Sequence, residues 1–135
     1  MAERFWEIVE VIEFPLLLTN GGDGYPEARP MDLIHRERAM LWFATSRASR
    51  KVAQIVADPR VTVMFVDTGR FDYVSVHGRA QIITDEALRK RFWKEAWREE
   101  WPGGPADPDY ILLKVLGENG SYYYGDTDES GEMSL

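Results

Sequence analysis

The chain has 135 residues, 44% hydrophobic and 29% charged, with a formal net charge of −7 and no cysteine. That length supports one real core but not two, and the missing cysteines exclude disulfides and thiolate metal or nucleophile chemistry. The acidic balance argues against broad nucleic-acid binding, and no apolar run approaches the ~20 residues of a membrane span. The expectation is a cytoplasmic protein with neither nucleic acid nor membrane as a partner.

In chain order, Phe5, Ile8, Val9 and Ile12 share one helical face over residues 3–12, and Pro15 ends the helix. Leu16–Thr19 reads as a short strand, followed by the turn Asn20-Gly21-Gly22-Asp23-Gly24. Residues 27–34 can return as its hairpin partner, with Pro30 marking an edge or bulge. Met40–Thr45 is a further strand, and Ser49 is placed to cap a helix that buries Val52, Ile55 and Val56 before Asp58-Pro59 stops it. Val61–Val66 has the near-continuous apolar pattern of a strand buried on both faces.

A long strand is predicted over Tyr73–Ile83. Val74, Val76, Gly78, Ala80 and Ile82 face one way, and Tyr73, Ser75, His77, Arg79 and Gln81 the other. Thr84-Asp85 caps a helix predicted to run to about Glu100, with Trp93, Trp97 and Trp101 as a packing stripe. Trp101 stands apart from that stripe, at the helix end beside a Gly/Pro loop. Tyr110–Leu116 is a final strong strand, and Tyr122–Tyr124 adds a short one. Asp126, Asp128, Glu129 and Glu132 then make residues 126–135 an acidic, disordered tail beyond a single domain over residues 1–125. Strands that follow each other through short turns predict a mainly β protein, an antiparallel sheet closed into a barrel with flanking helices.

The positive charge is concentrated. Arg47, Arg50 and Lys51 lie within five positions at the start of the helix capped by Ser49, where the helix dipole disfavours cations. A bound phosphate would resolve the conflict, taking hydrogen bonds from free backbone N–H groups and from the Thr45, Ser46 and Ser49 hydroxyls. A solvated basic patch paired with acids elsewhere is the alternative at this point. His35 and His77 read as hydrogen-bonded structural residues, and no metal-ligand spacing is present.

The run Thr45-Ser46-Arg47-Ala48-Ser49-Arg50-Lys51, continuing through Gln54-Ile55 to Asp58-Pro59-Arg60-Val61, resembles the signature of the pyridoxamine 5′-phosphate oxidase-like, FMN-binding split-barrel proteins. Ala28-Arg29-Pro30-Met31 and Gly78-Arg79-Ala80 fall at the expected places. The loop Trp101-Pro102-Gly103-Gly104-Pro105-Ala106-Asp107-Pro108, leading into Ile111-Leu112-Leu113-Lys114-Val115, is most similar to the general stress protein branch.

The resemblance implies an antiparallel split β-barrel that forms an intertwined homodimer, with two FMN sites at the subunit interface. On that pattern Arg29 and the backbone of Pro30 and Met31 flank the flavin. Thr45, Ser49, Arg50 and Lys51 hold the phosphate or the ribityl chain, and Tyr73 approaches the ring from the long strand. Trp101 and Tyr124 would come from the other subunit. The true oxidases carry a substrate-binding Lys where this chain has Ile34, and they have an extended C-terminal segment. Pyridoxamine phosphate oxidation is therefore not expected. The branch's aromatic pair, commonly Tyr-Trp, is here Tyr123-Tyr124.

The implied function is a flavin-dependent oxidoreductase of open substrate, with no protein acid or base assigned. Its electron donor would be a nicotinamide nucleotide or a reduced small molecule. A non-catalytic stress protein that sequesters or senses FMN is the alternative function, and deazaflavin or haem are the alternative ligands.

Overall fold

In the computed structural model, which describes residues 2–135, α1 (Ala2–Val11) turns Phe5, Ile8 and Val9 into the core. The strands are β1 (Leu16–Asn20), β2 (Pro26–Pro30), β3 (His35–Glu37), β4 (Met40–Ser46), β5 (Arg60–Asp67), β6 (Asp72–Ile83), β7 (Tyr110–Tyr124) and β8 (Glu129–Ser134). Helices α2 (Arg50–Ala57) and α3 (Glu86–Phe92) and two 3-10 turns, Glu95–Glu99 and Gly104–Ala106, complete the chain.

All the strand pairs are antiparallel, in the order β2-β1-β5-β6-β7-β4-β3, with β8 added on β7. The expected split barrel is observed, but the sheet does not close. β2 and β3 remain edges, and Pro26 and Pro30 deprive β2 of two ladder donors. The split runs along β7: its first half pairs β4 and its second half pairs β8, while β6 accompanies both. A bulge between His77 and Gly78 bends β6 there. At Gly78 an added Cβ would lie 2.1 Å from the Leu116 carbonyl oxygen, so only glycine fits.

The inner face gathers Leu17, Leu41, Phe43, Val63, Val74, Val76, Leu113 and Val115 beneath Phe5 and Val9. A second cluster, Trp42, Trp101, Tyr110 and Leu112, lies on the outer face of β4 and β7 under α3 and the 3-10 turns. The remaining outer face carries Leu16, Leu18, Thr62, Met64 and Tyr73, all only half-buried, and exposed Val66. Thus β5 alternates instead of being buried on both faces, because among the described residues no element covers its outer side.

Three further expectations change. Val56 is exposed rather than buried, because α2 turns Val52, Ile55 and the Gln54 amide toward the sheet, which rotates Val56 away. α3 ends at Phe92, with Trp93 extended, so the Trp stripe is not one helix. The break lets Trp93, Trp97 and Trp101 converge on the Tyr110 ring, at centroid distances of 5.2, 5.8 and 5.1 Å; Trp101 belongs to that group and does not stand apart from it. Residues 126–135, expected as a disordered tail, form a turn and strand β8. Asp126 takes the Arg4 guanidinium, Asp128 adopts a positive φ of 58° and accepts the Tyr123 hydroxyl, and the acids of β8 sit at exposed positions.

Candidate functional site

The segment between β4 and α2 is held from outside by Pro108 and Asp109. Asp109 accepts the Arg47 N–H on its carbonyl at 2.7 Å and the Ala48 N–H on its carboxylate at 3.0 Å. The Arg47 side chain is drawn off to the Pro108 carbonyl, which removes it from the basic group. Ser49 occupies the N-cap position of α2 with extended backbone (φ −70°, ψ 152°) but makes no cap hydrogen bond. Its hydroxyl oxygen is buried and has no partner. A buried polar atom left unpaired is costly and rare in native folds.

Three electrostatically coupled cations, Arg29, Arg50 and Lys51, lie on or against α2. The Lys51 ammonium donates to the buried Thr45 hydroxyl at 2.9 Å. Arg29 donates to the Leu17 carbonyl (3.2 Å), the Thr19 hydroxyl (2.8 Å) and the Gln54 side-chain carbonyl (3.3 Å). Thr19, almost fully buried, donates to the same Gln54 oxygen at 2.5 Å, and the Gln54 amide donates to the Glu27 carboxylate. Glu27 also pairs with Arg50 at 3.0 Å.

Among the described residues Glu27 is thus the one carboxylate bonded into this group of three cations, and burial disfavours the charge on two of them. Burial, then the Arg29 charge, lowers the Lys51 pKa below its ordinary value. Burial likewise lowers Arg29, with Arg50 adding to the shift and Glu27 opposing it.

Arg29, Thr45, Ser49, Arg50 and Lys51 are therefore brought to one end of the fold. Beside them, Met31 is buried with its N–H on the Pro15 carbonyl at 2.8 Å, and Pro30 is exposed at the end of β2. Ser46 turns to the opposite face of β4 from Thr45, where its oxygen accepts the Trp101 indole N–H at 3.1 Å.

Tyr73 and Tyr124 lie elsewhere. Arg29 registers across β1 and β5 onto Val76, so Tyr73 stands on the order of 15 Å away along the sheet. Tyr73 is on the outer face, stacked on Tyr123 at 5.6 Å. Tyr124 points inward, with the Arg4 guanidinium 4.2 Å above its ring. The period of two along β7 puts Tyr123, not Tyr124, on the Tyr73 face. His77 has partners at both ring nitrogens, Thr62 at 3.0 Å and Ser121 at 3.5 Å, as a structural residue would. Among the described residues no group of acids and histidines is placed to hold a metal.

Sequence reasoning missed Thr19, Glu27 and Gln54. Glu27 shares a face of β2 with Arg29, and Gln54 follows Lys51 by one helical turn, so both carried a positional signal. Thr19 carried none.

An antiparallel split barrel with a basic helix start at its open end defines a class, and the comparisons agree. The family model described as pyridoxamine 5′-phosphate oxidase like matches residues 1–133, and the chain belongs to that family. The structure is similar to a Clostridium acetobutylicum protein related to general stress protein 26, with a TM-score of 0.86 and 26% identity, covering 98% of this chain and 92% of that one. General stress protein 26 from Bacillus anthracis aligns over 100% of both chains, with a TM-score of 0.79 and 29% identity. Protein bli-3 of Neurospora crassa is 29% identical over 102 residues, 68% of this chain and 49% of its own length, so the chain spans about half of that curated relative. Among the described residues no helix is long and apolar enough to cross a membrane.

Proposed function

We propose that this chain is a cytoplasmic FMN-binding flavoprotein, a homodimer that acts as an oxidoreductase on a small redox substrate. The observation that carries the reading is the unpartnered, buried Ser49 hydroxyl at the head of α2 beside a surplus of cations. A phosphate dianion fits both features. It accepts from Ser49, from Lys51 and Arg50, and from the first N–H groups of α2, and it supplies the missing negative charge. Thr45 orients Lys51, and Arg29 with Pro30 and Met31 flanks the rest of the cofactor.

The half-exposed apolar outer face supports a second copy packed there. Such a dimer would carry Tyr73, stacked with Tyr123, to the partner's flavin; Trp101, buried against Tyr110 and bonded to Ser46 of its own chain, fits a partner contribution less well. Tyr124, covered by Arg4, fits that role less well than Tyr123. The flavin supplies the electron chemistry when bound; the protein binds it, orients it and limits access to its face. Ile34, where the oxidases carry a substrate-binding Lys, argues against pyridoxamine phosphate as the substrate.

The absorbance spectrum of the purified protein and the mass of its released cofactor test the ligand. FMN supports the reading, and a deazaflavin or haem overturns it. Anaerobic mixing with NADH or NADPH tests the activity: bleaching of the flavin band supports an oxidoreductase, and inertness toward every donor leaves a flavin-sequestering protein.

A further inference from the structure

A cavity of about 150 Å³ opens on the outer face of β4, lined by Asp32, Ile34, Ala44, Trp97, Glu100 and Trp101. A cavity of that size has room for one benzene-sized ring. Ile34, Ala44 and the two indoles form its walls. Trp101 is fixed by its hydrogen bond to Ser46 at 3.1 Å, and Trp97 stands edge-on to it at 5.9 Å and 82°. Ser46 directly follows Thr45, the acceptor of Lys51, so the cavity and the cation group share the end of β4 on opposite faces.

Charge selects the occupant. Asp32 and Glu100 are both exposed at the cavity, and neither enters a salt bridge among the described residues. No basic side chain lines it. Indole faces favour cations through the ring quadrupole, as the Lys94 ammonium 5.5 Å from the Trp97 ring centroid illustrates, and two carboxylates outside any salt bridge attract a cation and repel an anion.

We propose that this cavity binds a single-ring planar cation of the N-alkylpyridinium class, its ring against Trp97 and Trp101 and its charge between Asp32 and Glu100. A ring that carries a carboxylate in place of the positive charge meets the opposite field and is disfavoured. As the cation left when a neutral dihydropyridine passes its hydride to the oxidised flavin, the occupant would be the product of flavin reduction, a role that rests on the flavin reading above; the binding itself does not.

The test uses the purified protein with its bound cofactor and follows the Trp indole N–H resonances during titration with 1-methylnicotinamide or nicotinate. The expected result is saturable shifts of the Trp97 and Trp101 signals with the cation, at about tenfold or greater preference over the carboxylate. In D32K/E100K, two exposed sites, the preference reverses while FMN affinity is retained. Absence of saturable shifts, equal response to both probes, or an unchanged preference in the double variant overturns the proposal. Indole shifts in a protein that binds no FMN leave the cavity assignment standing and remove the flavin reading.

Discussion

The Lys51 ammonium donates to the Thr45 hydroxyl at 2.9 Å, across the gap between the last turn of β4 and the first turn of α2. The bond holds a half-buried cation at a helix N-terminus, where the dipole opposes it, and leaves its remaining donors free for an anion. Lys51→Ala is expected to weaken FMN binding by about 1.5–3 kcal/mol, roughly 10- to 150-fold, as loss of one charge-assisted bond does. Arg50→Ala costs less, since that side chain is 76% exposed and already shared with Glu27. Flavin-fluorescence titration of both variants checks the order, and an unchanged dissociation constant for Lys51→Ala removes the phosphate assignment.

The lowered Lys51 pKa has a pH consequence. In the free fold the ammonium is disfavoured, so between its depressed value and the ordinary 10.5 the unfolded chain binds the proton more tightly. Stability of the flavin-free protein therefore gains from this group as pH rises through that window. Bound phosphate favours the ammonium and reverses the shift. FMN binding then takes up a proton in the window, and affinity falls as pH rises. Titrations from about pH 7 to 10 show the decline, and Lys51→Arg flattens it because guanidinium stays charged there.

Tyr110 behaves in the opposite sense. Its phenol is fully buried, donates to the Arg89 carbonyl at 2.9 Å, and is pushed up to about 12 by burial. The folded state holds that proton more tightly than the unfolded chain, whose value is 10.0. Its contribution is complete below the unfolded value and is lost as pH climbs toward the folded one. Tyr123 and Tyr124 are also raised, the first by its hydrogen bond to Asp128 and the second by burial, so a UV phenolate titration is expected to show several late-titrating tyrosines, one fewer in Tyr110→Phe.

Met64 sits on the uncovered outer face, registered between Leu16 and Ser75. Met64→Glu places a charge in the middle of the proposed dimer contact without touching the inner core. Light scattering is expected to show a dimer for the native chain and a monomer for the variant, with FMN affinity lost alongside. A native monomer, or a variant that stays dimeric, contradicts the interface.

Strand alternation along β6 and the apolar face of α1 were legible because both follow local periodicity, and the basic run at the start of α2 was legible because cations at that helix end conflict with the dipole. What escaped the sequence depended on tertiary partners. Thr19 became a ligand of Arg29 only when β1 paired β2, and Val56 was exposed by an α2 rotation anchored through Gln54. The tail became a strand because β7 extended far enough to offer β8 a free edge. That Tyr123, not Tyr124, shares a face with Tyr73 turned on register, which a run of three tyrosines conceals.

Parallel titration of the flavin-free protein with FMN and riboflavin tests the cation group most directly, because the two ligands differ only in the 5′-phosphate. FMN is expected to bind at least about 100-fold more tightly, roughly 2.7 kcal/mol. Equal affinities, or no binding of either flavin, would contradict a phosphate held by Ser49, Arg50 and Lys51.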